Sequence, residues 1–154
     1  MSSGLRITFD REFEDTRQNL YHLADLVSTA ISQSLEALVN RDLKLAELII
    51  TNDVEINKLR FKIEEECLAL IATQQPAASD LREIIAIIHL IVEMERMGDY
   101  AAGIAKTTIM MSEEPLLKTL KKFPKMGEIS QQMLADSIQA FKQRDADWAR
   151  DIAA

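Results

Sequence analysis

The chain has 154 residues, of which 47 % are hydrophobic, 28 % charged and 5 % aromatic, and its net charge is −7. This composition suits one ordinary folded domain and excludes a disordered chain. The acidic balance, with no basic run interleaved with aromatics, argues against nucleic acid as a partner.

Apolar residues recur at helical spacing almost throughout, and no sustained alternation suggests a strand. Asp10 reads as the cap of a first helix that runs to about Asn40 and buries Leu20, Leu23, Val27, Ile31, Leu35 and Leu38. Asp42 caps a second helix, with Leu45, Leu48, Ile49, Ile56, Leu59, Ile63, Cys67 and Leu70 on its buried side. It ends at "TQQPAAS", where Pro76 cannot continue the hydrogen-bond ladder. Ser79 is the expected cap of a third helix reaching about Met111, with Asp80 and Glu83 in the first turn where the macrodipole favours them. Pro115 and Pro124 then bracket a connection, around which Lys118, Lys121, Lys122 and Lys125 read as a solvated cluster. A fourth helix follows from about Lys125 to Gln143. Helices of about 30 residues span about 45 Å and hold only when packed lengthwise, so the expected architecture is an all-α antiparallel bundle.

The end of the chain repeats its beginning. "SLEALVNRDLKLAELI" (34–49) aligns without gaps to "SIQAFKQRDADWARDI" (137–152), each closing one helix and capping the next, at Asp42 and at Asp145. The expected organisation is a three-helix bundle over 1–112 and, over 113–154, one helix and the start of another from a second, incomplete bundle. On that reading the apolar face of the fourth helix lacks a partner, which predicts a homodimer or higher oligomer, or mobility of that segment.

Cys67 is the only cysteine, so no intramolecular disulfide forms and a reducing compartment fits. No leader is read at the amino terminus. The longest apolar run, Ile84 to Val92, is far short of the ~20 residues that span a bilayer. The expectation is a soluble cytoplasmic protein, peripheral to a membrane at most.

Two acids interrupt the third helix. With Ile84 at zero on a helical wheel, Glu95 and Asp99 fall at about 20° and about 60°, continuing the stripe of Ile84, Ile88 and Ile91. Like charges four residues apart destabilise a helix, and more so where water is excluded, so a cation is the simplest compensation. Asp53 and Asp99 lie equally far from Pro76 on either side, as do Asn57 and Glu95. An antiparallel pair of helices sets such residues level. Asp53, Asn57, Glu95 and Asp99 are therefore the candidate metal ligands, an oxygen-only set suited to Mg²⁺, Mn²⁺, Ca²⁺ or iron. Arg96 or Lys106 could neutralise the acids instead. His89 is placed on the solvated face, Cys67 and Met94 in the core, and Gly98 and Gly103 at close helix approaches. No shifted general base, Ser-His-Asp arrangement or Gly-rich phosphate loop points to catalysis.

"QQPAASDLREIIAIIHLIVEMERMGDYAAGIAK", with "RDLKLAELIITNDVEINKLRFKIEEECLALIATQQP" and "FDREFEDTRQNL", closely resembles the PhoU family of phosphate-uptake regulators. The resemblance implies tandem three-helix bundles and no enzymatic activity. It implies a cytoplasmic negative regulator of high-affinity phosphate uptake and phosphate-starvation signalling. Such an adaptor communicates between a phosphate ABC transporter, through its ATPase subunit, and a sensor histidine kinase. It further implies an acid-xxx-Asp motif pair in each bundle, which in some members holds multinuclear iron or zinc clusters. Glu95-Arg-Met-Gly-Asp99 matches that motif fully, and Asp53-Val-Glu-Ile-Asn57 matches it with Asn at the final position. The equivalent of Asp53 in the second unit falls beyond Ala154, so no second site is expected. The competing readings are a metal-dependent hydrolase using the same carboxylates and a metal-free helical scaffold.

Overall fold

The computed structural model describes residues 3–115, 120 and 122–154, without the side chains of residues 3–5 and 74. Lys118 and Lys121 lie outside the described residues. Among the described residues there are five helices and no strand: α1 (Ser3–Asn40), α2 (Leu43–Gln74), α3 (Ala78–Met110), α4 (Phe123–Gln143) and α5 (Ala146–Ile152). The all-α fold class is as expected. α1, α2 and α3 each pack on the other two, and α4 lies against α1.

α1 begins a full two turns before the expected cap at Asp10. Phe9 and Phe13, one turn apart with ring centroids 5.4 Å from each other, are both buried and pull the preceding turn onto the core. Arg6 then bridges to Asp80 at the start of α3 and to Asp10, which is an ordinary i,i+4 partner inside the helix. Asp42 does cap α2, accepting from the Leu45 amide at 3.0 Å. α3 starts at Ala78 with Ala77 as an extended N-cap, so Ser79 lies inside its first turn and supplies no cap. Pro124 sits in the first turn of α4, where its missing N–H has no intrahelical partner in any case.

The core is built on Leu20, Leu23, Val27, Ile63, Ile84, Ile87 and Ile91, all fully enclosed. Cys67 belongs to it, and burial pushes its thiol up to about 12. Leu48 is 49 % exposed rather than buried, because Ala46 and Ile49 take the inward positions at that end of α2. α4 does not stand apart: Leu134 and Ile138 join the same core, and the Gln131 amide donates to the carbonyl and hydroxyl of Ser28 on α1. Gly127 permits that approach, since a Cβ there would sit 2.1 Å from Leu35 Cδ1.

The sequence repeat is also a structural one. Arg41 and Arg144, immediately before the capping aspartates, both have φ of 54°. The Asp42 amide donates to Ala37 O at 3.0 Å, and the Asp145 amide donates to Ala140 O at 2.9 Å. Asp145 accepts from the Asp147 and Trp148 amides, opening α5 as Asp42 opens α2. Both junctions are the left-handed closure of one helix fused to the side-chain cap of the next.

Candidate functional site

The candidate residues lie along the seam between α2 and α3. On α3 the buried arc runs through Ile84, Ile87, Ile91, Met94, Gly98 and Ala105. Glu95 is half-buried at the edge of this arc and Asp99 is exposed. The acids therefore flank the apolar stripe instead of continuing it. The reason is that α3 has two neighbours, so its inward direction lies between α1 and α2 and not along the Ile84–Ile88 line.

Asp53 is the most constrained member. The Asn57 amide donates to its Oδ2 and to its backbone carbonyl, both at 3.2 Å. Its Oδ1 is enclosed and has no hydrogen-bond partner, an arrangement that costs free energy unless something answers it. Gly98 faces this oxygen: a Cβ there would stand 3.7 Å from Oδ1 and 3.2 Å from two atoms of Ile56. Gly98 is thus a close-approach glycine as expected, whereas Gly103 has open space around it. Beside Asp53 is a cavity of about 290 Å³ lined by Leu26, Ala30, Gln33, Asn52 and Ile56. Gln33 and Asn52 carry no periodicity or motif signal that would have found them.

Burial raises the Asp53 carboxyl above its ordinary value, and the charge of Asp99 raises it further; Lys106 and the Asn57 hydrogen bond oppose both. This carboxylate is therefore a shifted acid at the site, contrary to the expectation that none would be found. Arg96 is not the neutralising cation, because it pairs with Glu93 at 2.8 Å. Lys106 is the cation whose charge reaches Asp53. His89 is exposed as expected.

Asn57 meets Asp53 as its i,i+4 neighbour on α2, and across the seam Asp53 lies within reach of the Asp99 charge. The mirror relation about Pro76 does not gather the acids into a closed cage. Among the described residues no group of three or more His, Cys, Asp or Glu side chains is arranged to hold an ion. Equal distance from a turn fixes level along the helix axis but not the direction a side chain points. The donor set still suits a hard cation: it is all oxygen, it carries net negative charge, and its Oδ1 is unpaired. Among the described residues no helix is long and apolar enough to cross a membrane.

These residues form an all-α bundle with an oxygen-bearing set of side chains on the seam between its second and third helices. The chain belongs to the PhoU family: the profile described as "PhoU domain" matches residues 20–108. A phosphate-specific transport system accessory protein PhoU homolog of Streptococcus pneumoniae is 40 % identical over 149 residues, covering 97 % of this chain and 69 % of the relative. The homolog of Aquifex aeolicus is 39 % identical over 142 residues, covering 92 % of this chain and 64 % of the relative. The PhoU protein of Escherichia coli K12 is 35 % identical over 144 residues, covering 92 % and 58 %. The chain thus spans only part of each of these relatives. Among solved structures, PhoU of Streptococcus pneumoniae superposes with a TM-score of 0.85 at 39 % identity, covering 94 % of this chain and 68 % of that one. PhoU of Pseudomonas aeruginosa gives 0.87 at 35 % identity, covering 94 % and 70 %.

Proposed function

We propose that this chain is a non-enzymatic, cytoplasmic regulator of phosphate uptake. It acts as an adaptor between a phosphate ABC transporter, engaged through its ATPase subunit, and a sensor histidine kinase. What supports this reading is the 40 % identity, over 97 % of the chain, to a protein named as an accessory of the phosphate-specific transport system. Two experiments test it together. Expressed in cells lacking their own regulator, the chain restores repression of a phosphate-starvation reporter in phosphate-rich medium. The purified chain captures the transporter ATPase or the kinase. Absence of both repression and capture refutes the adaptor role.

The proposed regulator also holds a hard or borderline cation through Asp53 and Asp99, assisted by Asn57 and Glu95. Iron or zinc is the family-like occupant, and Mg²⁺ or Mn²⁺ suits the oxygen set equally well. The unpaired Asp53 Oδ1 is the supporting observation. Elemental analysis of protein purified without chelator distinguishes the outcomes: bound metal in the wild type should be lost in Asp53→Ala/Asp99→Ala, and equal content in the two refutes the site. A metal-free scaffold is the alternative, supported by the Lys106 charge acting on Asp53.

A further inference from the structure

α2 has two apolar sides. Ile49, Ile56, Ile63 and Leu70 turn into the bundle. Val54, Phe61 and Leu68, with 51 %, 57 % and 56 % of their surface exposed, lie on its outer side. Spaced seven residues apart, they keep within about 40° of one line along the helix. Leu43, 39 % exposed, continues that line toward the start of α2. Scattered exposed apolar residues are ordinary, but an apolar line held over two heptads is a surface on which a second helix can lie. Among the described residues neither α4 nor α5 touches α2, so this face stands clear of both.

The two edges of this stripe differ in charge. On the edge away from α3 bases and acids are mixed: Lys58 pairs with Glu55 at 2.9 Å and Lys62 with Glu66 at 3.7 Å, with Glu65 alongside. On the edge toward α3 stand the carboxylates of Asp53, Glu95 and Asp99 and that of Glu64, which Arg60 bridges at 2.6 Å. Lys106 is the other base whose charge reaches the seam, so this edge is net acidic. We propose that the α2 stripe receives an amphipathic helix of a partner protein, with apolar residues at heptad spacing and lysine or arginine along the flank that lies over the α2–α3 seam. The line from Val54 to Leu68 spans about 21 Å, which about 14 residues of a partner helix cover. Because only one edge is acidic, the basic flank also sets the direction in which that helix lies. A second copy of this chain is a poorer occupant: antiparallel α2 helices keep the same flanks together and would set seam carboxylates against seam carboxylates. An anionic lipid surface is repelled by the same edge.

The probes are two labelled synthetic helical peptides of about 18 residues. Both carry leucine at heptad a and d positions over an alanine and glutamine background; one flank is lysine in the first and glutamate in the second. Fluorescence anisotropy follows their binding to the whole chain at low salt and in chelator, which keeps the seam carboxylates free. The lysine peptide should bind at least about tenfold more tightly than the glutamate peptide. Phe61→Asp, at an exposed position, should abolish binding with helix content unchanged, and the milder Phe61→Ala/Leu68→Ala should weaken it about tenfold. Glu64→Lys reverses one charge and frees Arg60, so it should erase the preference between the peptides. The proposal is overturned if neither peptide binds, if the wild type binds both equally, or if the Phe61 variants bind as the wild type does. Sedimentation showing a wild-type dimer that Phe61→Asp dissociates would assign the face to a second copy and overturn it as well. Any of these results leaves the phosphate reading standing, because repression and partner capture are scored separately.

Discussion

Glu83 is the keystone of an ion triad that ties three parts of the chain together. Its Oε1 accepts from Arg17 Nε on α1 at 2.6 Å, and its Oε2 accepts from Arg144 Nη2 at the α4–α5 junction, also at 2.6 Å. The Glu83 side chain is only 11 % exposed and Arg17 22 %, while Arg144 is 65 % exposed. Arg17 is further held with its guanidinium 3.9 Å from the Phe13 ring centroid. Glu83→Gln keeps the shape but removes the charge. The partly buried bond to Arg17 belongs to the charge-assisted class worth about 1.5–3 kcal/mol, and the exposed bond to Arg144 adds under about 1 kcal/mol. Since glutamine still accepts one hydrogen bond, the expected loss is about 2 kcal/mol at neutral pH, read as a lower urea midpoint with an unchanged slope. Burial pushes the Glu83 carboxyl up, but the two arginines outweigh it and hold the group below its ordinary 4.5. A depressed carboxylate contributes stability above its unfolded value, and that contribution is lost as pH falls through the folded one. The gap between wild type and Glu83→Gln should therefore close in acid, below 4.5. A neutral-pH difference under about 0.5 kcal/mol, or one that persists undiminished in strong acid, would refute the reasoning.

Asp53 should behave with the opposite sign. Its raised carboxyl costs stability while ionised, and the cost is relieved as pH falls through the folded value; in chelator, Asp53→Asn should be about 0.5–1 kcal/mol more stable at neutral pH, with the gain fading in acid. A less stable variant at neutral pH contradicts that account. Gly127→Ala should leave stability within about 1 kcal/mol of the wild type, because its Cβ meets only the tip of the Leu35 side chain, Cδ1 at 2.1 Å, and the cost of turning that tip aside is offset by the gain in helix propensity; thermal melts showing a loss above about 2 kcal/mol would show that Leu35 is held fixed. Asp42→Ala removes the acceptor for the Leu45 amide and should cost about 1 kcal/mol in urea unfolding, whereas an unchanged midpoint would show that water replaces the cap.

Helix number, order and most core positions were readable because apolar spacing reports directly on burial. The errors share a physical cause: a rule about one element was asked to answer a question about two. Asp10 satisfies the local grammar of a cap, yet the distant burial of Phe9 and the Arg6–Asp80 bridge extend α1 past it. Leu48 fits the periodicity of α2, but the inward positions at that end of the helix are taken by Ala46 and Ile49. The equal distances from Pro76 set Asp53 and Asp99 level along the helix axes, and Asp53 feels the Asp99 charge. They could not supply the azimuth, which depends on α3 packing against α1 as well as α2. The unpaired Oδ1 of Asp53 and the cavity beside it are properties of three helices at once and leave no trace in spacing.

The twin junctions at Arg41-Asp42 and Arg144-Asp145 make one corner piece used in two places. Each sets the same left-handed φ on an arginine followed by a capping aspartate, so α5 leaves α4 through the same kind of joint by which α2 leaves α1. A short cassette spanning either corner should therefore be exchangeable for the other without redirecting the rods it joins. Lesions mapped at one corner forecast the effect of their counterparts at the other.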